Sequence, residues 1–320
     1  MSNENGWPWG SNDPGRSARA VVASVVALLA VAVVVWNVQR TSGHTDFSHL
    51  WFAAKSLAEG RNPYDLIGPG REWESAYRLY YPASSLVFVL PFTLLSEVPA
   101  VACFVGLSVW LLVWGVTHDG WHRLPIIASA AFLESVLAAQ WTVIITAAFF
   151  LPWLCFVTPA KPQTGLAVLV STWKVRPWIY AGISAIAGTT VALVLLPSWP
   201  SEWLESVGEA GFALKAVRHP VGLLALLVLL RWRRRESWLI VATVLLPQTF
   251  MWYGGLLLLA VANTYREAVA LSAISTLGFL AAVYATGWEN APTVTWSLYL
   301  ATTLLPAAFV VIRRPNESPD

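Results

Sequence analysis

The chain has 320 residues, with 20 Lys+Arg against 18 Asp+Glu and a formal net charge of +2 at pH 7. Hydrophobic residues make up 57% and charged residues 12%, and the mean hydropathy is +0.59, whereas a soluble domain carries roughly 25% charge. So few charges cannot cover a water-facing surface, which excludes a disordered chain, a soluble dinucleotide-binding enzyme and a basic nucleic-acid binder and leaves an all-α integral membrane protein.

Residues 1–17 are polar and rich in Gly, Pro, Asn and Ser, and read as a disordered cytoplasmic N-terminus. The apolar run Ser17–Trp36 is too long for a signal-peptide core and ends in no small-residue cleavage site, so it reads as an uncleaved transmembrane helix that opens a membrane domain over 18–312. The polar stretch 37–81 follows as a first extracytoplasmic loop. Within it Phe47, Leu50, Trp51, Ala54, Leu57 and Ala58 recur at spacings of three and four, which predicts an amphipathic helix lying along the interface. Gly60, Asn62 and Pro63 stop it.

Apolar runs then come in quick succession: Pro82–Leu95, Pro99–Val116, Leu124–Ala138, Gln140–Val157, Pro162–Trp173, Trp178–Leu196, Val221–Leu230, Trp238–Pro247, Met251–Ala262, Ala268–Ala285 and Trp296–Ile312. With the first helix they predict about twelve transmembrane helices. Several fall short of the roughly 20 residues that span a bilayer, as in bundles that enclose a polar cavity. Arg231, Arg233, Arg234 and Arg235, Lys174 with Arg176, Arg266, and Arg313 with Arg314 share one side if both termini are cytoplasmic, with residues 313–320 as a cytoplasmic tail. The 37–81 loop and a second large loop, 197–219, then face outward, so the polar residues gather on one extracytoplasmic face. Many of the 19 tryptophans sit at the ends of apolar runs, as an interfacial belt requires. No internal repeat is visible, which counts against an inverted-repeat transporter.

Few residues offer chemistry. Asp46 starts the amphipathic helix and is either its N-cap or a carboxylate desolvated at the membrane surface, a general-base position. Lys161 lies between two apolar runs, where an ionisable group is costly; it either snorkels or serves a ligand. Arg218 and His219 stand just before a short helix, as ordinary loop charges or as anion ligands. Gln140 interrupts apolar surroundings and either bonds a neighbouring helix or lines a cavity. Glu134 pairs with a group the sequence does not identify. Asp65 follows Pro63-Tyr64 as a turn residue or a ligand, and Tyr81-Pro82 reads as a helix entry. Trp199, Trp203 and Trp252 either anchor in the interface or stack on a ligand. Cys103 and Cys155 sit in apolar runs as packed thiols, and no His/Cys spacing or Asp-x-Asp pair suggests a metal or cofactor.

The string Asp46-Phe47-Ser48-His49-Leu50-Trp51-Phe52-Ala53-Ala54, continuing through Leu57 and Gly60 to Pro63-Tyr64-Asp65, resembles the opening loop of glycosyltransferase family 87. Tyr80-Tyr81-Pro82 with Leu90-Pro91-Phe92, then Ala139-Gln140-Trp141, then Ala160-Lys161-Pro162-Gln163, resemble later family segments in the same order. The likeness runs from the first helix to about residue 260. It departs at Ala83, where the family has a second Pro, at Ala139, where it has Gly, and in Pro247–Tyr253, which lacks the family's late histidine.

The resemblance implies a GT-C-type bundle that transfers a hexose such as mannose from a polyprenyl-phosphate donor to a lipid or glycan acceptor, on the outer face of a plasma membrane. It implies inversion, with Asp46 as base, Lys161, Arg218 and His219 at the donor phosphate, and His49, Tyr64, Asp65, Tyr81, Gln140 and Trp252 on the substrates. Two other readings stay open: a transporter or flippase for a lipid-linked substrate, and a non-catalytic membrane scaffold that kept the fold.

Overall fold

A computed structural model describes residues 15–41, 44–208, 215–247, 252–286 and 292–316. Most of the 1–17 segment, part of the 197–219 loop, Gln248–Met251 and the last four residues of the tail lie outside the described residues. The rest is an all-α membrane protein. The helices are α1 (Arg16–Thr41), α2 (Asp46–Ala58), α3 (Pro63–Leu66), α4 (Ala83–Leu86), α5 (Glu97–Val116), α6 (Ala130–Leu137), α7 (Thr142–Phe150), α8 (Pro162–Val170) and α9 (Val175–Leu195). They continue as α10 (Trp199–Gly208), α11 (Pro220–Ala225), α12 (Arg235–Leu245), α13 (Leu256–Leu259), α14 (Tyr265–Thr286), α15 (Pro292–Tyr299) and α16 (Leu305–Ile312). A two-residue parallel pair, β1 (Ile67–Gly68) with β2 (Trp73–Glu74), closes a turn in the first loop.

Among the described residues five helical stretches are long and apolar enough to cross a membrane: Arg16–Arg40, Glu97–Val116, Val175–Leu195, Tyr265–Ala285 and Val294–Ile312. The other apolar runs are broken by proline and tight turns. Gln140–Val157 is not one helix: α7 ends at Phe150, with Leu151 as its C-cap before Pro152, and the chain doubles back as a 3-10 segment over Pro152–Ala160. Pro82–Leu95 is not a traverse either. The Tyr64 hydroxyl donates to Tyr81 O at 2.9 Å and the Trp51 indole to Leu95 O at 3.1 Å, so the first-loop helices hold both of its ends.

Hydrogen bonds sort the polar residues into two ends. α1 packs on α5, with the Arg19 guanidinium donating to Trp114 O at 2.7 Å, while His44 Nδ1 lies 3.0 Å from Glu97 Oε1 at the opposite end of the same pair. The Arg19 end also holds Arg123, which donates to Ala262 O at 2.7 Å, and Arg235, which donates to Phe149 O at 3.2 Å. Arg231 and Arg234 bind Ile312 O and Pro315 O there, and Arg314 pairs with Glu267. The Asp46 end holds the 44–81 loop, α10 and His219, which lies 3.3 Å from Ser297. Arginines thus satisfy the carbonyls that helix ends leave without partners.

Candidate active site

The start of α2 is fixed by a residue other than Asp46. Thr45 is the N-cap: its hydroxyl accepts from Ser48 N at 3.0 Å while Thr45 N donates to Ser48 Oγ at 3.2 Å, a reciprocal capping box. Asp46 is therefore the first helical residue, not the cap, and its carboxylate is released for another use. Its N–H donates to Ala138 O at 3.0 Å, which ties α2 to the turn after α6.

That turn explains Gln140. α6 ends at Leu137, Gln140 N returns to Ser135 O at 2.9 Å, and Ala139 between them has φ +47°. This left-handed conformation ends helices and is normally a glycine position. It turns Gln140 back across the bundle, where its side-chain amide donates to Asp46 Oδ2 and its carbonyl accepts from Lys161 Nζ at 2.8 Å. Lys161, with φ −137° and ψ 83°, stands outside the helical region just before Pro162, the first residue of α8. α8 packs tightly on Pro152–Ala160: a Cβ on Gly165 would sit 2.1 Å from Thr158 O, so only glycine fits. Lys161 is 4% exposed and its ammonium lies 4.5 Å from the centre of the Tyr253 ring.

Three segments far apart in the chain thus meet as Asp46–Gln140–Lys161. Next to Asp46, Phe47 stacks on Phe104 at 4.1 Å; next to Gln140, Trp141 lies 4.9 Å from the same ring. Phe104 is two turns into α5 from Glu97, so the group sits about 10 Å inside the end of the bundle. Asp46 keeps some accessible surface, but burial of its carboxyl raises its pKa to about 6, against the charge of Lys161, which lowers it. Burial pulls Lys161 down to about 8, opposed by Asp46 and Glu134. A buried carboxylate near neutral pKa and a buried cation one amide away can accept a proton and neutralise an anion side by side.

Tyr81 lies beside Asp46. Burial, then the Asp46 charge, then Tyr253 push its hydroxyl well above the usual tyrosine range. Its backbone is clamped by Tyr64 from one side, and Tyr80 O accepts from the Trp203 indole of α10 at 2.9 Å. Tyr64 is thus a buried strut for Tyr81. Asp65 is exposed, accepts from Asn62 Nδ2 at 2.7 Å and lies 3.8 Å from Arg71 Nη1. His49 packs against His44 and Trp73, and burial, then His44, lower it to about 4. Trp252 is fully buried and its indole donates to Ser275 O at 3.1 Å. His219 caps α11, its Nδ1 accepting from Val221 N at 3.2 Å, and Arg218 closes the short helix before it. Among the described residues the structure brings Asp46, Lys161, Gln140 and Tyr81 together; Arg218, His219 and Asp65 make their hydrogen bonds and ion pairs elsewhere.

Two members of the group were not legible as site residues. Glu134 feels the charges of both Asp46 and Lys161, and its carboxylate lies against the backbone N–H groups of Tyr253 and Trp252, with Oε2 buried and without a hydrogen-bond partner among the described residues. Tyr253 supplies the ring under Lys161. The signal for Glu134 is an acid within an apolar run; for Tyr253 it is only its place at the end of the Pro247–Tyr253 stretch, which resembles a late family segment. No protein-family model, curated protein or solved structure matches the chain.

Proposed function

We propose that the chain is a GT-C-type membrane glycosyltransferase with about twelve membrane traverses, resembling family 87, that moves a hexose such as mannose from a polyprenyl phosphate to a lipid or glycan acceptor. What carries the reading is the Asp46–Gln140–Lys161 group: the three segments that bear the family-like motifs converge on one buried base and one buried cation. The left-handed backbone at Ala139, where the family has glycine, supports it further.

In this reading the acceptor oxygen bonds to the anomeric carbon as the bond from that carbon to the lipid phosphate breaks, and the centre inverts. The acceptor proton passes to Asp46. The electron pair leaves on the phosphate, whose charge Lys161 balances, while Gln140 holds both groups in place and Tyr81 lines the approach. The end bearing Arg19, Arg235 and Arg314 faces the cytoplasm, by the positive-inside rule, and the Asp46 end faces outward across the plasma membrane.

The test is transfer of label from polyprenyl-phosphate-mannose to host lipids in membranes carrying the wild type or Asp46→Asn. Transfer by the wild type and a loss of about a hundredfold in the variant is the expected result, the range of a general base. Equal transfer by both removes Asp46 from the chemistry. The rival flippase reading draws on the same buried Asp46, Lys161 and Glu134; it predicts movement of lipid-linked sugar across the membrane with no new glycosidic product.

A further inference from the structure

We propose that Glu134 reads the transferred sugar: one of its carboxyl oxygens bonds a ring hydroxyl of the glycosyl group that lies between the acceptor and the lipid phosphate. This role rests on the transfer reading above and adds sugar recognition to it, at a residue outside the family-like motifs. Glu134 is placed by the turn that also places Gln140. It stands in the second half of α6, and its carbonyl accepts from Ala138 N at 2.9 Å. Ala138 O in turn accepts from Asp46 N at 3.0 Å, so a single residue joins the end of α6 to the start of α2. The Glu134 carboxyl lies against the backbone N–H groups of Trp252 and Tyr253, which open the 3-10 turn Trp252–Gly255 and fix its orientation.

Those contacts leave Oε2 unserved: it is buried and has no hydrogen-bond partner among the described residues. Asp46 and Lys161 both lie within range of the Glu134 charge, so Glu134 stands beside the pair. Neither completes it. Lys161 Nζ donates to Gln140 Oε1 at 2.8 Å and sits 4.5 Å from the centre of the Tyr253 ring, and Asp46 is itself an acid. Tyr299 is also within range, but its hydroxyl does not reach Oε2. A buried carboxyl oxygen without a partner is costly in either charge state. As the anion it lacks a donor; as the acid its proton lacks an acceptor. A hydroxyl serves both forms, because it donates and accepts. An ammonium serves only the anion, and a phosphate only the acid. In the proposed reaction the anomeric carbon lies between the oxygen that Asp46 deprotonates and the phosphate that Lys161 balances. The sugar ring is therefore the hydroxyl-rich group brought to the space that Glu134 adjoins. A site built to bond a hydroxyl rejects the analogue that lacks it, since its own buried group is then left unpaired.

Transfer from polyprenyl-phosphate-mannose and from its 2-, 3-, 4- and 6-deoxy analogues, in membranes carrying the full chain, tests this. In the wild type one deoxy donor is expected to lose at least about tenfold in kcat/KM against the parent, the factor for one hydrogen bond to a charged group, and the others much less. Glu134→Met fills the same space and bonds no hydroxyl. It should lower the parent donor by that same factor and leave the sensitive deoxy donor where it was, so the two losses do not multiply. Glu134→Gln keeps the shape and offers a neutral amide, so its discrimination falls between the two. A role in folding alone lowers every donor equally and singles out no hydroxyl. A wild type that uses all four deoxy donors as well as the parent, or the wild-type discrimination retained in Glu134→Gln or Glu134→Met, overturns the assignment and leaves the transfer reading standing. No transfer of any donor by the wild type removes the transfer reading and, with it, the assignment.

Discussion

Asp46→Asn should make the protein more stable while it lowers activity about a hundredfold. Burial raises the Asp46 pKa from 3.8 to about 6, so the fold favours the neutral acid. At 1.36 kcal/mol per pH unit, that rise means ionised Asp46 costs the folded state about 3 kcal/mol. The sign follows from the two titrations. Below 3.8 the acid is protonated whether the chain is folded or not, and no cost is present. As pH rises the unfolded chain ionises first, and above about 6 the whole cost is in force. Asparagine stands in for the neutral acid and can still face the Gln140 amide. Apparent melting temperature in detergent should therefore be higher for Asp46→Asn near neutral pH, and the two proteins should converge towards about pH 4. A variant less stable than wild type at neutral pH refutes the reasoning: Asp46 would then be a structural brace, and the scaffold reading would gain. Stability given up at one buried carboxylate is the usual mark of a site kept for function.

Transfer activity should rise through about pH 6 as Asp46 ionises and fall above about pH 8 as Lys161 loses its proton. Lys161→Gln should abolish the alkaline limb and move the acid limb upward. Two charges on opposite atoms of one amide stand about 6 Å apart, which is worth about 2.8 kcal/mol, or about two pH units, at an effective dielectric constant of 20; an unmoved acid limb would show that the pair is not coupled. Gln140→Leu strips both buried groups of their shared partner and should cost about 2–6 kcal/mol in thermal stability, with transfer lost; wild-type melting would show that the amide bridge is dispensable. Ala139→Gly relieves a left-handed residue and should gain about 0.5–1 kcal/mol, whereas Ala139→Val should lose more than about 1. Gly165→Ala drives a methyl into Thr158 O and should cost about 1–3 kcal/mol or more, with Lys161 displaced and activity reduced.

The membrane class was legible because it depends on bulk composition, and five long helices follow directly from continuous apolar runs. The path of the chain between them was less legible, for a physical reason. Inside a bilayer an apolar run says only that its side chains avoid water, and both a straight helix and a hairpin of two short segments satisfy that demand. Pro152 decides between them for Gln140–Val157, and its effect depends on a neighbouring surface that accepts the 3-10 return. Pro82–Leu95 is folded back by hydrogen bonds from Trp51 and Tyr64, which are tertiary and leave no periodic trace. The candidate site divides the same way. Asp46, Gln140 and Lys161 stand out as polar groups in apolar company, and their cost is local, so the sequence displays it. Their mutual contact is not local, because it depends on the turn at Ala139 and the close approach at Gly165. Charge type can mark a residue as expensive, but only the fold says which partner justifies the expense. That is why Arg218 and His219, equally conspicuous by type, cap and close short helices near α11, while Glu134 and Tyr253 complete the buried group.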